Sequence, residues 1–312
     1  MDGEGRIRKM IDNLPNEIVI EEVSLRDGLQ IEDRPFSVAE KLRFIRGMEE
    51  SGIKRIQVGS FVHPKWVPQM ANTDEVFAAL ERKAGITYTA LVLNEKGLDR
   101  ALDCDVALLS MSTSTTETHS RKNTNQTLAE GRERVQILIE KSLKAGVHVR
   151  AGVIMAFGCG YEGPVPMEVV EDLVDLYARL GVHEINLADT CGLANPRSIY
   201  ELVARTRDRV GNDIAILLHL HDTRGFGLAN VVAGIQAGAT IFDASLGGLG
   251  GCPFIQNARG NIATEDVVFM LGEMGIATGI DWKGLSRLTL EMEELLEKTL
   301  PSRMAHLPDI AA

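Results

Sequence analysis

The chain has 312 residues and a formal net charge of −11, from 33 lysines and arginines against 44 aspartates and glutamates. Its 45% hydrophobic content excludes a disordered or collagen-like chain, and no apolar run reaches the ~20 residues of a membrane span. The acidic balance argues against a nucleic-acid or membrane partner. The first residues lack the apolar segment of a signal peptide, and four cysteines fit free thiols, so we expect a cytoplasmic protein.

Eight short runs rich in Val and Ile alternate with longer helical patterns along the chain. The predicted strands are Ile18 to Val23, Arg55 to Gly59, Ile86 to Leu91, Val106 to Ser110, Val147 to Ile154, Glu184 to Ala188, Ala215 to His221 and Thr240 to Ala244. Eight strand-then-helix units predict an α/β fold, a closed TIM (β/α)8 barrel with a parallel sheet. An open doubly wound sheet is the alternative at this point.

The helical patterns have recognisable ends. The clearest are Ser37 to Ser51, Leu128 to Ala145, Met167 to Leu180 and Pro196 to Val210. Ser37 followed by Glu40 predicts a capping box. A glycine follows several of the patterns, as expected where a helix passes into a short loop: Gly52, Gly146, Gly181, Gly211 and Gly238.

We expect one barrel domain over residues 1–280 and a C-terminal helical tail over residues 281–312. The tail includes the Glu- and Leu-rich stretch Leu285 to Leu300, which could cover the barrel or contact a second subunit. In a TIM barrel the chemistry lies at the carboxyl ends of the strands. Polar residues at those ends are therefore the candidates for a functional site.

The seventh predicted strand ends in two histidines, His219 and His221. Because side chains alternate along a strand, both rings point to one side, while Leu218 and Leu220 point toward the helices. Two imidazoles on one face at a strand end favour metal ligation over two separately hydrogen-bonded histidines. Imidazole alone does not select the metal.

Polar residues also end the first and sixth strands. Asp27 could supply an oxygen ligand and Arg26 could stabilise an oxyanion, although a surface arginine and a turn aspartate are the simpler interpretation. After the sixth strand come Asp189 and Thr190. Asp189 is expected to orient a ligand or to pair with Arg26.

A glycine-rich segment, Gly247 to Gly251, follows the eighth strand and leads into Cys252. It could close over the site and deliver a thiol, or it could cradle a phosphate. Further along, Asn261 could be another oxygen ligand. Thr264 is predicted to cap the last barrel helix.

Together these segments resemble the 3-hydroxy-3-methylglutaryl-CoA lyases of the DRE-TIM metallolyase superfamily, over roughly Ile18 to Gly279. The segments that carry the resemblance are Ser24 to Gln30, Gly59 to Met70, Gly158 to Gly163, His219 to Thr223, Gly248 to Pro253 and Gly260 to Asp266. The Lys-Trp-Val-Pro-Gln-Met run and the Gly-Gly-Cys-Pro loop are specific to the lyases. The Arg-Asp and His-x-His pairs are shared with Claisen-type synthases.

The resemblance implies a metal site and a substrate site. The ligands of one divalent cation, Mg²⁺ or Mn²⁺, would be Asp27, His219, His221 and Asn261. The implied substrate-binding residues are Arg26, Gln30, Ser60, Asn186, Asp189 and Thr190. Two further carboxylates, Glu22 and Glu265, match family positions that support the site.

The implied reaction is retro-aldol cleavage of a 3-hydroxyacyl-CoA to acetyl-CoA and a keto acid. In the family, the residue matching His219 removes the hydroxyl proton, and Asp27 belongs to the catalytic set. Arg26 would hold the thioester enolate oxygen, and Cys252 would protonate the enolate carbon. An acyl-CoA substrate and a homodimer are the implied partners.

Four positions depart from the family pattern. Gln57 replaces a usual Glu, Asn186 and His63 replace Ser, and His119 replaces an aromatic residue. The departures leave the metal and thiol positions intact, so a related substrate such as citramalyl-CoA stays open. Three other interpretations also remain: a Claisen-type synthase, a metal-dependent hydrolase lacking a further histidine ligand, and a non-catalytic barrel that leaves the thiol loop unexplained.

Overall fold

The computed structural model describes residues 14–251 and 259–307. Within them, eight parallel strands form a closed barrel in chain order, and β8 pairs with β1. The strands are β1 Val19–Glu22, β2 Arg55–Ser60, β3 Thr87–Leu91, β4 Leu108–Ser114, β5 His148–Ile154, β6 Glu184–Asp189, β7 Ala215–Leu220 and β8 Ile241–Ala244. The predicted TIM barrel is confirmed, and the β1–β8 pairing rules out an open sheet.

Helices surround this barrel. They are α1 Val38–Glu50, α2 Thr73–Ala79, α3 Glu95–Asp103, α4 Glu117–Thr124, α5 Leu128–Lys144, α6 Met167–Leu180, α7 Pro196–Val210, α8 Gly227–Ala237, α9 Thr264–Glu273 and α10 Trp282–Leu296. The predicted capping box is confirmed, since Ser37 Oγ accepts from Glu40 N and Glu40 Oε2 accepts from Ser37 N. The five glycines predicted to end helices all have positive φ.

The core lies between the strands and this layer of helices. Leu218 of β7 is fully buried, and a Cβ at Gly234 of α8 would lie only 2.4 Å from its Cδ1. The outward face of β7 therefore packs directly on α8, as the alternation predicted. This packing leaves the opposite face of β7, with His219, for the barrel interior.

Most strand ends lie within one residue of the predictions, with β7 ending at Leu220 instead of His221, and two larger differences stand out. β4 runs to Ser114 because Ser110 to Ser114, although polar, continue to pair with β5. The prediction that Thr264 caps the last barrel helix is wrong. Ala263 occupies the N-cap, and the Thr264 hydroxyl donates instead to Glu22 Oε2 at 2.5 Å. A buried carboxylate within reach is the stronger acceptor for that hydroxyl.

The C-terminal helix α10 packs against the outside of the barrel. Leu285 and Met292 are fully buried, and a Cβ at Gly47 of α1 would lie 2.6 Å from Leu288 Cδ2. The division into two units at residue 280 stays a prediction. Across residues 14–251 and 259–307, no helix is both long and apolar enough to cross a bilayer.

Candidate active site

A cavity of about 170 Å³ lies at the carboxyl ends of the strands. Seven of the predicted site residues line it: Arg26, Asp27, Gln30, Asn186, Thr190, His219 and His221. Ser60 and Asp189 are buried but are not part of its lining. The polar strand ends therefore do converge, as the barrel fold requires.

A single π-helical turn, Ser24–Gly28, places Arg26 and Asp27 at the cavity. The backbone N–H groups of Asp27 and Gly28 both donate to Val23 O, at 2.8 and 3.3 Å. Such π turns recur at functional sites. Asp27 is only 6% exposed, so it is not a solvent-facing turn residue.

Three ligand-type atoms meet in the cavity. Nε2 of His219 and Nε2 of His221 are 3.1 Å apart. Oδ2 of Asp27 lies 3.7 Å from the first nitrogen and 3.6 Å from the second. Neighbouring ligands of an octahedral Mg²⁺, each ~2.1 Å from the ion, would be ~3 Å apart. The three side chains are therefore grouped closely enough to share one cation.

Asn261, predicted as a fourth ligand, lies beside this cluster. Its Nδ2 donates to Asp27 Oδ2 at 2.9 Å and to Leu249 O at 3.1 Å, while its buried Oδ1 has no hydrogen-bond partner in the described residues. An unpartnered buried oxygen costs free energy that a bound cation would recover. Two nitrogen and two oxygen donors fit Mg²⁺ or Mn²⁺, so the residues present fit the implied metal.

The charges around this cluster favour an ionised Asp27. Burial alone would raise the pKa of Asp27, but Arg26 and His219 hold it well below its usual value. Burial lowers the pKa of His221, which keeps that imidazole neutral and able to donate a lone pair. The pKa of His219 is raised, because Asp27 and Asp243 outweigh the effect of burial.

Arg26 is held in place from two sides. Its Nε donates to Gln57 Oε1 and its Nη1 donates to Asp27 Oδ1 at 2.5 Å. Gln57 was noted as a family departure but was not predicted as a site residue. The available signal was a polar side chain inside the buried run from Ile56 to Val58.

Away from the triad of Asp27, His219 and His221, the cavity wall carries neutral polar side chains among apolar ones. Burial lowers the pKa of His119 to about 4, and His119 Nδ1 lies 3.0 Å from Ser114 Oγ. Asn186 Oδ1 is buried with no hydrogen-bond partner in the described part of the chain. Ser110, Ser112 and Asn123 also line this wall and were missed. Ser110 and Ser112 belong to the Ser- and Thr-rich β4, which was their only signal, whereas Asn123 lies on α4.

Asp189 has a structural role in the loop after β6. Its two oxygens accept from Leu193 N at 2.8 Å and from Ala194 N at 3.1 Å. Burial raises the pKa of this carboxyl to about 6. Of the two expectations for Asp189, the pairing with Arg26 is wrong, because Arg26 contacts Asp27 and Gln57 instead.

Glu22 and Glu265 hold the start of the glycine-rich segment. Glu22 Oε1 accepts from Leu246 N at 3.1 Å, and the Glu265 carboxylate accepts from Gly247 N at 3.1 and 3.2 Å. Burial raises the pKa of Glu22 to about 7. The segment then reaches the cavity at Gly251. Cys252, the predicted proton donor, lies outside the described residues.

Comparison with known proteins decides the family. A sequence model named HMGL-like matches residues 17–290 of the chain. The chain belongs to the HMGL-like family. The predicted resemblance to the hydroxymethylglutaryl-CoA lyases is confirmed, and the protein is a carbon–carbon lyase of this family.

Members of the HMGL-like family align along nearly their whole length. Hydroxymethylglutaryl-CoA lyase YngG of Bacillus subtilis is 40% identical over 290 residues, covering 93% of this chain and 96% of the relative. The 3-hydroxy-3-isohexenylglutaryl-CoA/hydroxy-methylglutaryl-CoA lyase of Pseudomonas aeruginosa is 36% identical over 293 residues, covering 94% and 97%. An Acinetobacter baumannii HMG-CoA lyase, solved with coenzyme A and 3-methylmalate, superimposes with a TM-score of 0.89 at 38% identity, covering 95% and 98%.

Proposed function

We propose that the protein cleaves 3-hydroxy-3-methylglutaryl-CoA, or a related 3-hydroxyacyl-CoA, to acetyl-CoA and a keto acid with the help of a divalent cation. The observation that carries this proposal is the convergence of Asp27, His219 and His221 beside Arg26 in one cavity. Relatives named hydroxymethylglutaryl-CoA lyase support the substrate class.

Asp27, His219, His221 and Asn261 would hold the cation, Mg²⁺ or Mn²⁺. When bound, it would bring the substrate hydroxyl and carboxylate together and lower the pKa of that hydroxyl. Arg26 would bind the thioester oxygen, on which negative charge develops as the carbon–carbon bond breaks. Its contacts with Gln57 and Asp27 fix the guanidinium before substrate arrives.

The geometry restricts how His219 can act as a base. Its Nδ1 is hydrogen-bonded to Asp243 Oδ2 at 3.0 Å, so Nε2 is the ring nitrogen that faces the cavity. A proton removed from the substrate hydroxyl would therefore be taken at Nε2. Since Nε2 is also the ligand atom, the roles of base and ligand exclude each other at any one moment.

Cys252 completes the proposal as the proton donor to the enolate carbon, on the segment whose preceding residue lines the cavity. We expect Cys252→Ala to lower turnover by ~10²- to 10⁴-fold, the usual contribution of a positioned proton donor, while metal content stays at the wild-type level. Cys104→Ala, at a half-buried cysteine elsewhere, is the matched control. Unchanged turnover in Cys252→Ala would remove the thiol from the mechanism.

The direct test is acetyl-CoA release from a panel of 3-hydroxyacyl-CoAs, including citramalyl-CoA, with Mg²⁺ or Mn²⁺. The proposal expects release from at least one of them that stops after chelation and returns with metal. No release from any member would overturn it. Free CoA formed from acetyl-CoA and a 2-oxo acid would indicate a Claisen-type synthase instead. The proposed homodimer is checked separately by light scattering.

A further inference from the structure

A layer of charged side chains crosses the barrel interior and ends beside a metal ligand. Arg150 of β5 is fully buried and pairs with Glu21 of β1 and, at 2.9 Å, with Glu184 of β6. Arg55 of β2 reaches the same two carboxylates at 3.1 and 2.8 Å. Asp243 of β8 is the last member, with Oδ1 3.7 Å from Arg150 Nη1. The members thus come from five strands.

The described members of this layer carry one negative charge in excess, three carboxylates against two guanidinium groups. Although burial opposes it, Arg150 and Arg55 lower the pKa of Glu21 to about 2, so that carboxylate is ionised and paired with both. Asp243 is the least engaged, because its Oδ1 accepts no hydrogen bond within the described residues. Asp243 is therefore the carboxylate of this layer that is most free to contact a group outside it.

Asp243 lies directly behind His219. The two residues are register partners in the β7–β8 pairing, and Asp243 Oδ2 accepts from His219 Nδ1 at 3.0 Å. A proton on Nδ1 leaves the lone pair on Nε2, the atom that faces Asp27 and His221. A carboxylate behind a histidine ligand commonly fixes its tautomer and ring orientation.

We propose that Asp243 is a positioning residue for the metal ligand His219, and that the layer centred on Arg150 holds its carboxylate in place behind the ring. The inference rests on the metal binding in the proposed function. It adds that the affinity for the metal depends in part on Asp243, which lies on strand β8 and does not line the cavity.

Two matched variants of the full chain test it. Asp243→Asn and Glu184→Gln each remove one negative charge from the same layer, leaving two charges of each sign. Only Asp243→Asn loses the carboxylate that contacts His219 Nδ1. In metal-stripped protein titrated with Mn²⁺ in a calorimeter, we expect Asp243→Asn to raise the Kd ~10- to 100-fold, the usual effect of losing such a partner. Glu184→Gln should keep the wild-type Kd.

The outcomes separate the two proposals. Wild-type affinity in Asp243→Asn, or an equal loss in Glu184→Gln, would overturn the positioning role alone. A wild-type protein that binds no Mn²⁺ would overturn the metal assignment as well. Should Asp243→Asn not fold, long-range ¹H–¹⁵N NMR of histidine-labelled, Mg²⁺-loaded wild type decides, with His219→Gln assigning the resonance. Protonated Nδ1 on His219 supports the role, and protonated Nε2 refutes it.

Discussion

The two histidines of the triad differ in what holds their rings. His219 is anchored from behind by Asp243, whereas His221 Nδ1 is buried without a hydrogen-bond partner in the described residues. His221 therefore gains its polar contacts through Nε2, in the cluster itself. Nε2 is thus the nitrogen through which His221 can bind a cation.

Removing His221 should therefore empty the site. In His221→Ala we expect the Mn²⁺ Kd to rise by more than ~100-fold, because losing a ligand costs more than losing its outer partner. Calorimetric titration with Mn²⁺ measures the Kd, and metal analysis after gel filtration measures the occupancy of the site. His183→Ala is the control, since His183 stacks on His148 away from the cavity, with ring centroids 4.1 Å apart. Full metal occupancy in His221→Ala would refute the ligand assignment.

His119 should make the fold sensitive to mild acid. Its pKa is lowered to about 4 by burial, against ~6.5 in an unfolded chain. Between these values the unfolded chain binds the proton more readily, so stability is complete above about pH 6.5 and falls as the pH drops toward 4. The free energy of unfolding falls by about 3 kcal/mol between about pH 6.5 and pH 4.

Urea unfolding of wild type and His119→Gln from pH 4 to pH 7.5 measures this contribution. The difference between the two curves of unfolding free energy against pH isolates His119 from other buried groups that titrate in the same range, such as Asp189. We expect the wild type to lose stability more steeply on acidification. Parallel curves would show that the His119 ring is not held neutral by burial.

The sequence indicated Asp27, His219, His221 and part of the cavity lining, but not the roles of Gln57 and Asp243. His219 and His221 follow from the alternation of one strand, whereas Asp27 was assigned by the family resemblance, because its position alone favoured a turn residue. Gln57 and Asp243 contact residues that are distant in sequence. Their partners depend on the register between strands. That register is set by barrel closure and leaves no local pattern.

At the scale of elements, the glycine-rich segment depends on conformations that side chains rarely adopt. Gly247, Gly248 and Gly250 have φ values of +63°, +73° and +125°. A Cβ at Gly250 would lie only 2.7 Å from Asn261 Nδ2. Glycine at this position therefore lets the segment lie directly on a predicted metal ligand.

Gly250→Ala should disturb the site more than the fold. The added methyl group must displace Asn261, and a small misplacement of a reacting group can cost ~100-fold in rate. We expect weaker Mn²⁺ binding and lower turnover. Gly146→Ala is the matched control, because Gly146 also has positive φ (+77°) but no atom within 4 Å of the added Cβ. It should lose ~1 kcal/mol of stability with normal turnover.

A loss of turnover confined to Gly250→Ala would assign the effect to contact with Asn261. Equal turnover in both variants would mean that this contact does not position the site. Circular dichroism and thermal melting of each variant show whether the fold is intact.

Element boundaries were predictable where the signal is local. The capping box at Ser37 and the glycine ends depend only on neighbouring residues. The end of β4 and the role of Thr264 depend on partners elsewhere: β5 pairs with the polar run, and Glu22 takes the hydroxyl. Tertiary contacts overrode the local preference in both cases.

At the scale of the whole molecule, the C-terminal helix α10 is tied to the base of the glycine-rich segment. Thr289 of α10 donates to Glu265 Oε1 at 2.9 Å, and Glu265 in turn accepts from Gly247 N. Ser302 N donates to Gly247 O at 3.0 Å. The predicted tail thus supports the loop that leads to Cys252.

This coupling predicts that α10 and the barrel unfold together. Trp282 begins α10 and packs on Phe269 of α9, with ring centroids 5.4 Å apart. In Trp66→Phe, a change at an 84%-exposed side chain, Trp282 is the only tryptophan left of the two in the sequence. We expect its fluorescence and far-UV circular dichroism to give one coincident urea transition. Adding Met292→Ala should shift both midpoints equally, by removing ~2–5 kcal/mol of packing. A fluorescence transition at a lower urea concentration than the circular dichroism transition would instead show that residues 281–312 unfold as a separate unit.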